Sequence, residues 1–457
     1  MARFSLKGGL FGGKRAPKPE QTAEMTLLRP PAREQPRSAA TSQLPRFNTT
    51  ANDQLSARRG DRFSALRAKI RRAFTPSQPV ADARMFAGRQ AILRTIISSI
   101  EDQRLHLVLY GERGIGKTSL LHMLAQAAHE ARYIVVYTSC GAASNFDETF
   151  RAAAAEIPLL FHRGFGPTTS EAEGGATLAD LLPSTPLTPR QFSDLCTKLR
   201  GTRVLIMLDE FDRCDSATFR RNIAELIKNL SDRLGRVQLL LAGVAGDVSE
   251  IVEHIPSIRR NILALGLPRM NDQEVLQIVG HGERESGLAF EPAASKLVVS
   301  VAQGSPYIAS LLGHHAALSA IENERTSVLT QDVAYAVDQA VEEFENRIAK
   351  LSHSQIDALM ASGRAEDLAL AGRAALSLNG AFSERDLVVS CEVDEARARS
   401  IMKLLRDNQL VRPADLPGIH GDAVSFVEEG LPTFFWISWT QKNLAGTLRT
   451  PRAAAGA

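Results

Sequence analysis

The sequence predicts an α/β fold in which a mostly parallel sheet is covered by helices. Short apolar runs alternate with helical patterns over residues 76–266, which is typical of parallel strands joined by helices. The pattern over 267–349 is helical alone, and helical segments over 350–445 precede a β-rich end. These changes of pattern predict three domains with those boundaries.

Five apolar runs are the predicted strands of the sheet. They are Leu105–Tyr110, Tyr133–Ser139, Arg203–Asp209, Val237–Gly243 and Ile262–Gly266. Between the second and third runs, residues 164–189 are rich in Gly, Pro and Thr, which predicts a long surface insertion with one short helix at most.

Three helical segments and a final β pattern, "AVSFVEEGLPTFFWISW", end the predicted third domain. Helices followed by a hairpin predict a C-terminal winged helix. In the last strand of that hairpin, Phe435, Ile437 and Trp439 would share one face. The helices of 267–349 predict a small all-α lid between the sheet domain and the winged helix.

The two ends of the chain are predicted to be tails. Residues 1–75 are rich in Pro, Gly, Ser and Arg and carry a net charge of +11, which leaves −8 for the rest of the chain. This composition predicts a basic disordered tail, and residues 446–457 predict a second, short one. The basic tail suits nucleic acid or anionic lipid, and solvation or contact with the acidic body suits it equally.

Composition excludes several classes of protein. No apolar run approaches the roughly 18 to 20 residues that a membrane span requires. The amino terminus lacks the apolar stretch of a secretory signal. The four cysteines are far apart without CxxC spacing, which predicts reduced thiols and neither a zinc site nor a disulfide framework. We therefore expect a soluble cytoplasmic protein.

The stretch "GERGIGKTS", which follows the first predicted strand, is typical of a loop that binds phosphate. It completes G-x-x-x-x-G-K-[ST], with glycines that let backbone amides point at phosphate oxygens. Lys117 would neutralise β- and γ-phosphate charge and Thr118 would bind Mg²⁺. The predicted nucleotide contacts in the loop are Gly111, Glu112, Arg113, Gly114, Ile115, Gly116, Lys117, Thr118 and Ser119.

A second element, "VLIMLDEFD", supplies two carboxylates at the end of the third strand. Asp209 is predicted to hold Mg²⁺ through water, and Glu210 to polarise the attacking water. Alone, this run would be read as a buried strand with a capped end. Because the phosphate loop lies about 90 residues upstream, the pair predicts ATP hydrolysis with ATP and Mg²⁺ as ligands.

The order of these motifs resembles the ASCE division of P-loop ATPases. "FAGRQAI" at 86–92 resembles the box that opens origin-recognition-type AAA+ ATPases and STAND ATPases, which implies that Gly88 and Arg89 lie near the adenine. "AGVAGDVSEIVEHIPSIRRNI" looks like the sensor-1 strand and the helix after it. "GSPYIASLLG" is similar to the GxP motif of the STAND lid, which implies that Pro306 contacts the nucleotide.

The sequence departs from the AAA+ pattern at two places. The fourth strand ends in Gly243, Val244 and Ala245, where AAA+ ATPases have a polar residue that orients water, and Tyr307 follows Pro306 where they have arginine. Both departures predict slow hydrolysis. Arg259 and Arg260 would act as arginine fingers toward a neighbouring subunit, or else lie in a solvated helix end or pair with Glu253.

The predicted helix "DEARARSIMKLLRDNQLV" places Arg399, Lys403 and Arg406 on one stripe. Such a stripe can lie in a major groove of double-stranded DNA, and it suits a solvated face of a protein-contact module as well.

Three functions remain open from the sequence. The first is a nucleotide-dependent switch, as in STAND proteins, that exchanges ATP and ADP with slow hydrolysis. The second is a DNA-binding loader or target selector, as in origin-recognition and transposition-associated relatives, that uses the winged helix and the basic tail. The third is a nucleotide-binding scaffold without turnover. A homo-oligomer or a protein partner fits the first two, and no membrane is expected.

Overall fold

The computed structural model places a five-stranded parallel sheet at the centre of the amino-terminal half of the chain. The described residues are 62–164, 175–233, 235–243, 256–348, 350–378, 380–414 and 422–449. The strands are β1 (His106–Tyr110), β2 (Ile134–Ser139), β3 (Val204–Asp209), β4 (Val237–Gly243) and β5 (Ile262–Gly266). Their order in the sheet is β2-β3-β4-β1-β5, and every neighbouring pair is parallel. The predicted α/β core with five parallel strands is confirmed.

Helices cover both faces of this sheet, so its central strands are apolar on both sides. All six residues of β3 are buried, which explains the uninterrupted run "VLIMLD". The helices that precede and follow β1 pack on one face of the sheet, and three others pack on the opposite face. They are α2 (Gln90–Glu101) and α3 (Lys117–Glu130) on the first face, and α4 (Phe146–Ala155), α5 (Pro189–Cys196) and α6 (Ala217–Asp232) on the second.

The predicted insertion contains little regular structure where it is described. Residues 165–174 lie outside the described ranges, and Leu178–Leu181 form one short 3₁₀ helix. Leu178 and Leu187 are buried against the α4 and α5 side of the sheet. This part of the insertion is therefore packed on the core.

Four helices follow the sheet, together with a two-stranded parallel sheet of β6 (Ala289–Phe290) and β7 (Ser327–Val328). The helices are α7 (Asp272–Ser286), α8 (Pro292–Ala302), α9 (Pro306–Glu322) and α10 (Thr330–Glu345). At the start of α7, Asn271 and Glu274 form a capping box. At the start of α9, Ser305 accepts a hydrogen bond from the backbone N–H of Ile308, and Pro306 occupies the first turn.

An amino-terminal helix, α1 (Arg62–Ala73), packs against α7 and α9. Ile70, Ala73 and Phe74 are buried in the same apolar cluster as those helices. The end of the predicted tail 1–75 is thus a packed element, and residues 1–61 lie outside the described residues.

In the described residues of the carboxyl-terminal part, four helices precede β9 where three were predicted, and three strands form an antiparallel sheet of order β8-β10-β9. The helices are α11 (Lys350–Ala361), α12 (Ala365–Ser377), α13 (Glu384–Cys391) and α14 (Glu395–Asp407). The strands are β8 (Ala381–Phe382), β9 (Val411–Pro413) and β10 (Val424–Phe426).

The predicted last strand is wrong, because residues Leu431–Arg449 form a helix, α15. The run "FFWISW" is apolar at every position except Ser438, so it gives no period that separates a buried helix from a buried strand. Phe434, Phe435, Trp436 and Ile437 are all buried. The indole N–H of Trp436 donates to the carbonyl of Val301, 3.1 Å away, so α15 is tied to α8.

One apolar cluster joins α1, the helices α7 to α10 and the carboxyl-terminal helices. The predicted boundary at residue 350 therefore does not coincide with a gap in packing. The domain boundaries themselves remain predictions. Among the described helices, none combines the length and the apolar character that a membrane span needs.

Candidate functional site

The loop between β1 and α3 presents a nearly bare backbone. Gly114 and Gly116 have φ angles of 75° and 98°, in the left-handed region that favours glycine. A Cβ atom added at Gly114 would lie 3.1 Å from Cβ of Tyr307, and one at Gly116 would lie 3.7 Å from Cγ of Pro306. The predicted phosphate loop therefore faces the first turn of α9, and its glycines let Pro306 and Tyr307 approach the loop backbone closely.

Lys117 is the first residue of α3 and turns its amine into the loop. The Nζ atom donates to the carbonyl oxygens of Gly111, at 2.7 Å, and Glu112, at 3.0 Å. Burial lowers the pKa of Lys117, while the nearby carboxylates of Asp212 and Asp209 act in the opposite direction. The phosphate loop thus lies near the carboxylates at the end of β3. The Lys117 amine is placed where it can exchange its carbonyl partners for phosphate oxygens.

Four other side chains of the loop already contact protein groups or are buried. They are Glu112, Arg113, Ile115 and Ser119. Glu112 pairs with Arg269, and the Ser119 hydroxyl accepts the backbone N–H of Val80 at 3.0 Å. Arg113 lies 3.7 Å from Asp212 and 3.2 Å from Glu429, and Ile115 is buried. The side chains of Glu112, Arg113 and Ser119 are therefore engaged with other residues, and contact of these positions with phosphate through backbone amides stays a prediction.

Asp209 is a buried carboxylate with a donor on each oxygen. Its Oδ2 accepts the hydroxyl of Tyr137 at 2.5 Å, and its Oδ1 accepts the backbone N–H of Glu210 at 2.8 Å. Burial raises the pKa of Tyr137, and the bond to Asp209 raises it further, so the phenol stays protonated as a donor. Asp209 is therefore held in one orientation.

Glu210 lies beside Asp209 but reaches solvent. Its Oε2 accepts the Ser139 hydroxyl at 3.0 Å and the Arg213 guanidinium at 2.8 Å. The hydrogen bond from Arg213 lowers the pKa of Glu210. The residue has a φ of 52°, an uncommon conformation for glutamate. The carboxylate is thus ionised and accessible, as a base toward water requires.

Tyr137, Ser139 and Arg213 were missed by the sequence interpretation. The signal that would have found Ser139 is register, because Ser139 pairs with Asp209 across β2 and β3. Tyr137 lies two residues earlier on the same face of β2. Polar residues at the carboxyl end of a strand next to β3 are therefore candidates for the site.

Gly88 and Arg89 join the sheet domain to α7 and to the phosphate loop. The backbone N–H of Arg89 donates to Glu274, and its guanidinium donates to the carbonyls of Ile115, at 3.2 Å, and Pro268, at 2.7 Å. Burial lowers the pKa of Arg89 to about 10. A Cβ atom at Gly88 would approach the Glu274 side chain to 2.6 Å. Arg89 thus borders the loop at Ile115 and Gly88 packs against α7, and their place near the adenine stays a prediction.

Arg269 connects the loop to the helices and was also missed. It pairs with Glu112 of the loop and donates to the carbonyl of Gln303 at 2.8 Å, just before the Gly304-x-Pro306 motif. Burial raises the pKa of Glu112, and Arg269 counteracts this effect.

Arg259 and Arg260 do not approach the loop of their own chain. They are exposed in the 3₁₀ helix Pro256–Asn261, directly before β5. Ile262 lies beside His106, at the amino end of β1, whereas the loop follows Tyr110 at the carboxyl end. The five residues of β5, about 15 Å of strand, therefore separate the two arginines from the edge of the sheet at which the loop lies.

The oxygen ligands in the site suit Mg²⁺. Thr118, in the first turn of α3, offers a hydroxyl, and Asp209 offers a carboxylate, the ligands that a P-loop combines with substrate phosphates. Over the ranges that the structure describes, no group of three or more His, Cys, Asp or Glu is arranged to hold a metal ion by itself. A metal ion here would thus depend on a bound nucleotide for the remaining ligands.

Residues 85–241 match the family model of the AAA ATPase domain. This range contains the Gly88-Arg89 pair, the phosphate loop and the carboxylates at the end of β3. No curated protein sequence matches the chain significantly.

Several solved structures resemble the chain at low identity. The Walker-type ATPase PABY2304 of Pyrococcus abyssi is 16% identical, over 79% of this chain and 98% of its own, with a TM-score of 0.47. The ORC2 protein of Aeropyrum pernix is 18% identical, over 83% and 99%, with a TM-score of 0.44. Cdc6p from Pyrobaculum aerophilum is 15% identical, over 82% and 98%, with a TM-score of 0.42. At TM-scores below 0.5, these likenesses carry no conclusion about function.

Proposed function

Because residues 85–241 form an AAA ATPase domain, we propose that the chain binds ATP with Mg²⁺ and acts as a nucleotide-dependent switch of the AAA+/STAND type with slow hydrolysis. The observation that carries the proposal is the placement of the phosphate loop. The first turn of α9 packs on the glycines of the loop, and Glu429, just before α15, pairs with Arg113 of the loop. A nucleotide that enters the loop therefore meets groups from three parts of the chain.

The proposed chemistry divides among four side chains. Lys117 neutralises phosphate charge, and Thr118 with Asp209 holds the metal ion, which would neutralise charge on the β- and γ-phosphates. Glu210 polarises the water that attacks the γ-phosphate in line. Adenine would lie near Gly88 and Arg89, with Pro306 closing the site from α9.

Slow hydrolysis follows from the surroundings of the loop. The residue that faces Gly114 from α9 is Tyr307, whose hydroxyl donates to Glu343 at 2.8 Å, so no cation is supplied from this position. Val244 and Ala245, at the predicted sensor position, lie outside the described residues. Without a cation at the position of Tyr307, transition-state charge is less well stabilised. Without a polar side chain at position 244 or 245, the attacking water is less well oriented.

The helices α7 to α10 would form the lid, and α11 to α14 with β8 to β10 the winged helix. We propose that exchange of ATP for ADP changes how these helices sit on the loop, through Pro306, Arg269 and Glu429. Hydrogen exchange of residues 422–449 measures this directly. Different protection with ATP and with ADP supports the switch, and identical protection in the presence of bound nucleotide contradicts it.

Nucleotide binding itself is tested with Lys117→Ala. Charged hydrogen bonds contribute about 1.5–3 kcal/mol each, so affinity for a fluorescent ATP analogue should fall about 10- to 100-fold. Lys228→Ala is the matched control, because Lys228 is exposed on α6 away from the loop. Equal affinity in wild type and Lys117→Ala would defeat the assignment.

Arg259 and Arg260 fit action between subunits. Since they lie at the opposite edge of the sheet from the loop, they would reach the nucleotide of a second copy and not their own. If this is correct, mixing Lys117→Ala chains with Arg259→Ala/Arg260→Ala chains would restore part of the activity that each lacks alone.

A second candidate function is DNA binding, and one observation favours it. Arg399, Lys403 and Arg406 are exposed on α14, while Ala398, Ile401 and Leu405 are buried. The stripe is thus available to a partner, although Arg399 also pairs with Glu384 at 3.4 Å. The basic tail would add phosphate contacts, as in a loader or target-selecting ATPase.

The DNA-binding candidate is tested by the salt dependence of duplex affinity. Arg399→Glu plus Lys403→Glu should weaken binding and reduce the slope against salt concentration. Lys228→Glu plus Lys296→Glu gives the same change of net charge on exposed helix positions outside α14. Equal losses in both double variants would mean that net charge, and not the stripe, is responsible.

A further inference from the structure

Tyr137 stands between the two elements that carry the proposed metal ligands. Its hydroxyl donates to Oδ2 of Asp209 at the end of β3, over 2.5 Å. Its ring packs against the ring of His122 on α3, with the ring centroids 5.3 Å apart. His122 lies one turn beyond Thr118 and shares its face of the helix.

The contact leaves Asp209 little freedom. Asp209 is buried with 3% of its surface exposed, so each carboxylate oxygen requires a partner. The backbone N–H of Glu210 supplies one partner and Tyr137 the other. If the phenol were absent, Oδ2 would lack this donor and only the backbone N–H of Glu210 would restrain the orientation of the carboxylate.

We infer that Tyr137 is a positioning residue for the metal ion of the nucleotide site, acting through the hydrogen bond that fixes the Asp209 carboxylate. This inference rests on the proposed function, because it presumes that Asp209 binds Mg²⁺. The tyrosine itself would not touch the metal ion or the nucleotide. Its contact with His122 fixes the ring relative to the helix that carries Thr118.

The inference separates metal affinity from nucleotide affinity. Outer partners of metal ligands typically contribute 10- to 100-fold to metal affinity. Tyr137→Phe keeps the ring and its packing on His122 and removes only the hydroxyl. The substitution should therefore weaken the binding of the metal ion and leave the affinity for metal-free nucleotide unchanged.

The experiment titrates Mn²⁺ into the full chain with ADP and follows free Mn²⁺ by electron paramagnetic resonance. Affinity for a fluorescent ATP analogue in the presence of a chelator is measured in parallel. The matched control is Tyr133→Phe, which removes a tyrosine hydroxyl next to the same strand, where the partner is Arg203 at 3.1 Å.

The expected result is a 10- to 100-fold weaker Mn²⁺ affinity in Tyr137→Phe alone, with metal-free affinity equal in all three proteins. Equal Mn²⁺ affinity in wild type and Tyr137→Phe would overturn the inference. Loss of metal-free binding in Tyr137→Phe would overturn it too, because the hydroxyl would then serve the packing of the whole core. If the wild type binds no nucleotide, the proposed function fails before this inference is reached.

Discussion

The inner and outer sides of the site treat two neighbouring carboxylates differently. On the inner side, Asp209 is buried and receives its two hydrogen bonds from a backbone amide and a tyrosine of the sheet. On the outer side, Glu210 is partly exposed and is held by the short side chain of Ser139 and by the exposed Arg213. One carboxylate is fixed by the core, and the other is restrained by groups that can release it.

This difference matches the demands of the two proposed roles. A metal ligand contributes most when its orientation does not change, whereas a base must turn toward a water molecule that arrives with the substrate. The restraint on Glu210 involves exposed groups, and exposed ion pairs contribute little free energy. The site therefore combines a rigid side with a mobile side within two residues of chain.

The largest effect is expected when the outer carboxylate, Glu210, is removed and the inner one is kept. Glu210→Gln should lower single-turnover hydrolysis about 10²- to 10⁴-fold, the usual contribution of a general base. Nucleotide and metal affinities should stay at the wild-type values, because the inner side is untouched. Hydrolysis at the wild-type rate would show that Glu210 is not the base. The different surroundings of Asp209 and Glu210 would then reflect packing alone.

A smaller effect is expected when the restraint is loosened. Ser139→Ala removes a hydrogen bond of about 1 kcal/mol from Glu210, so the carboxylate should be free more often and hydrolysis should rise about 5-fold. Ser144→Ala is a suitable control, since that hydroxyl accepts from the backbone N–H of Gly141. A lower rate in Ser139→Ala would mean that the serine holds Glu210 in its working position.

The smallest effect concerns pH. The hydrogen bond from Arg213 lowers the pKa of Glu210, so the base stays deprotonated to a lower pH than an ordinary glutamate. Arg213→Gln should raise that pKa, and the acid limb of the pH-rate profile should move to higher pH. At neutral pH the rate should change little. An unmoved acid limb would show that another group governs it.

The phosphate loop and the strands of the sheet were predictable, because each is encoded by a short continuous stretch of sequence. Residues 111–118 form a contiguous motif, and buried parallel strands have uninterrupted apolar sequences. All five strands differ from prediction by one residue or none, and Val237–Gly243 and Ile262–Gly266 agree at both ends.

The remaining site residues depend on contacts that sequence spacing does not encode. Tyr137 and Asp209 are 72 positions apart, and Glu112 and Arg269 are 157 positions apart. Only the register of β2 on β3, or the path of the chain from β5 into α7, brings them together. The helix α15 was missed for another reason, since a segment that is buried all round has no amphipathic period.

The packing of Phe74 has a practical consequence for shortened chains. Its ring fills space that two glycines on separate helices leave open, since a Cβ atom would approach Cζ to 2.0 Å at Gly282 and Cε1 to 2.4 Å at Gly313. A chain trimmed to begin at residue 76, where the sequence pattern places its first domain, would lose this ring and leave an apolar pit between α7 and α9. Losing a buried phenylalanine typically costs about 3–5 kcal/mol. Expression of a stable fragment should therefore begin ahead of Arg62.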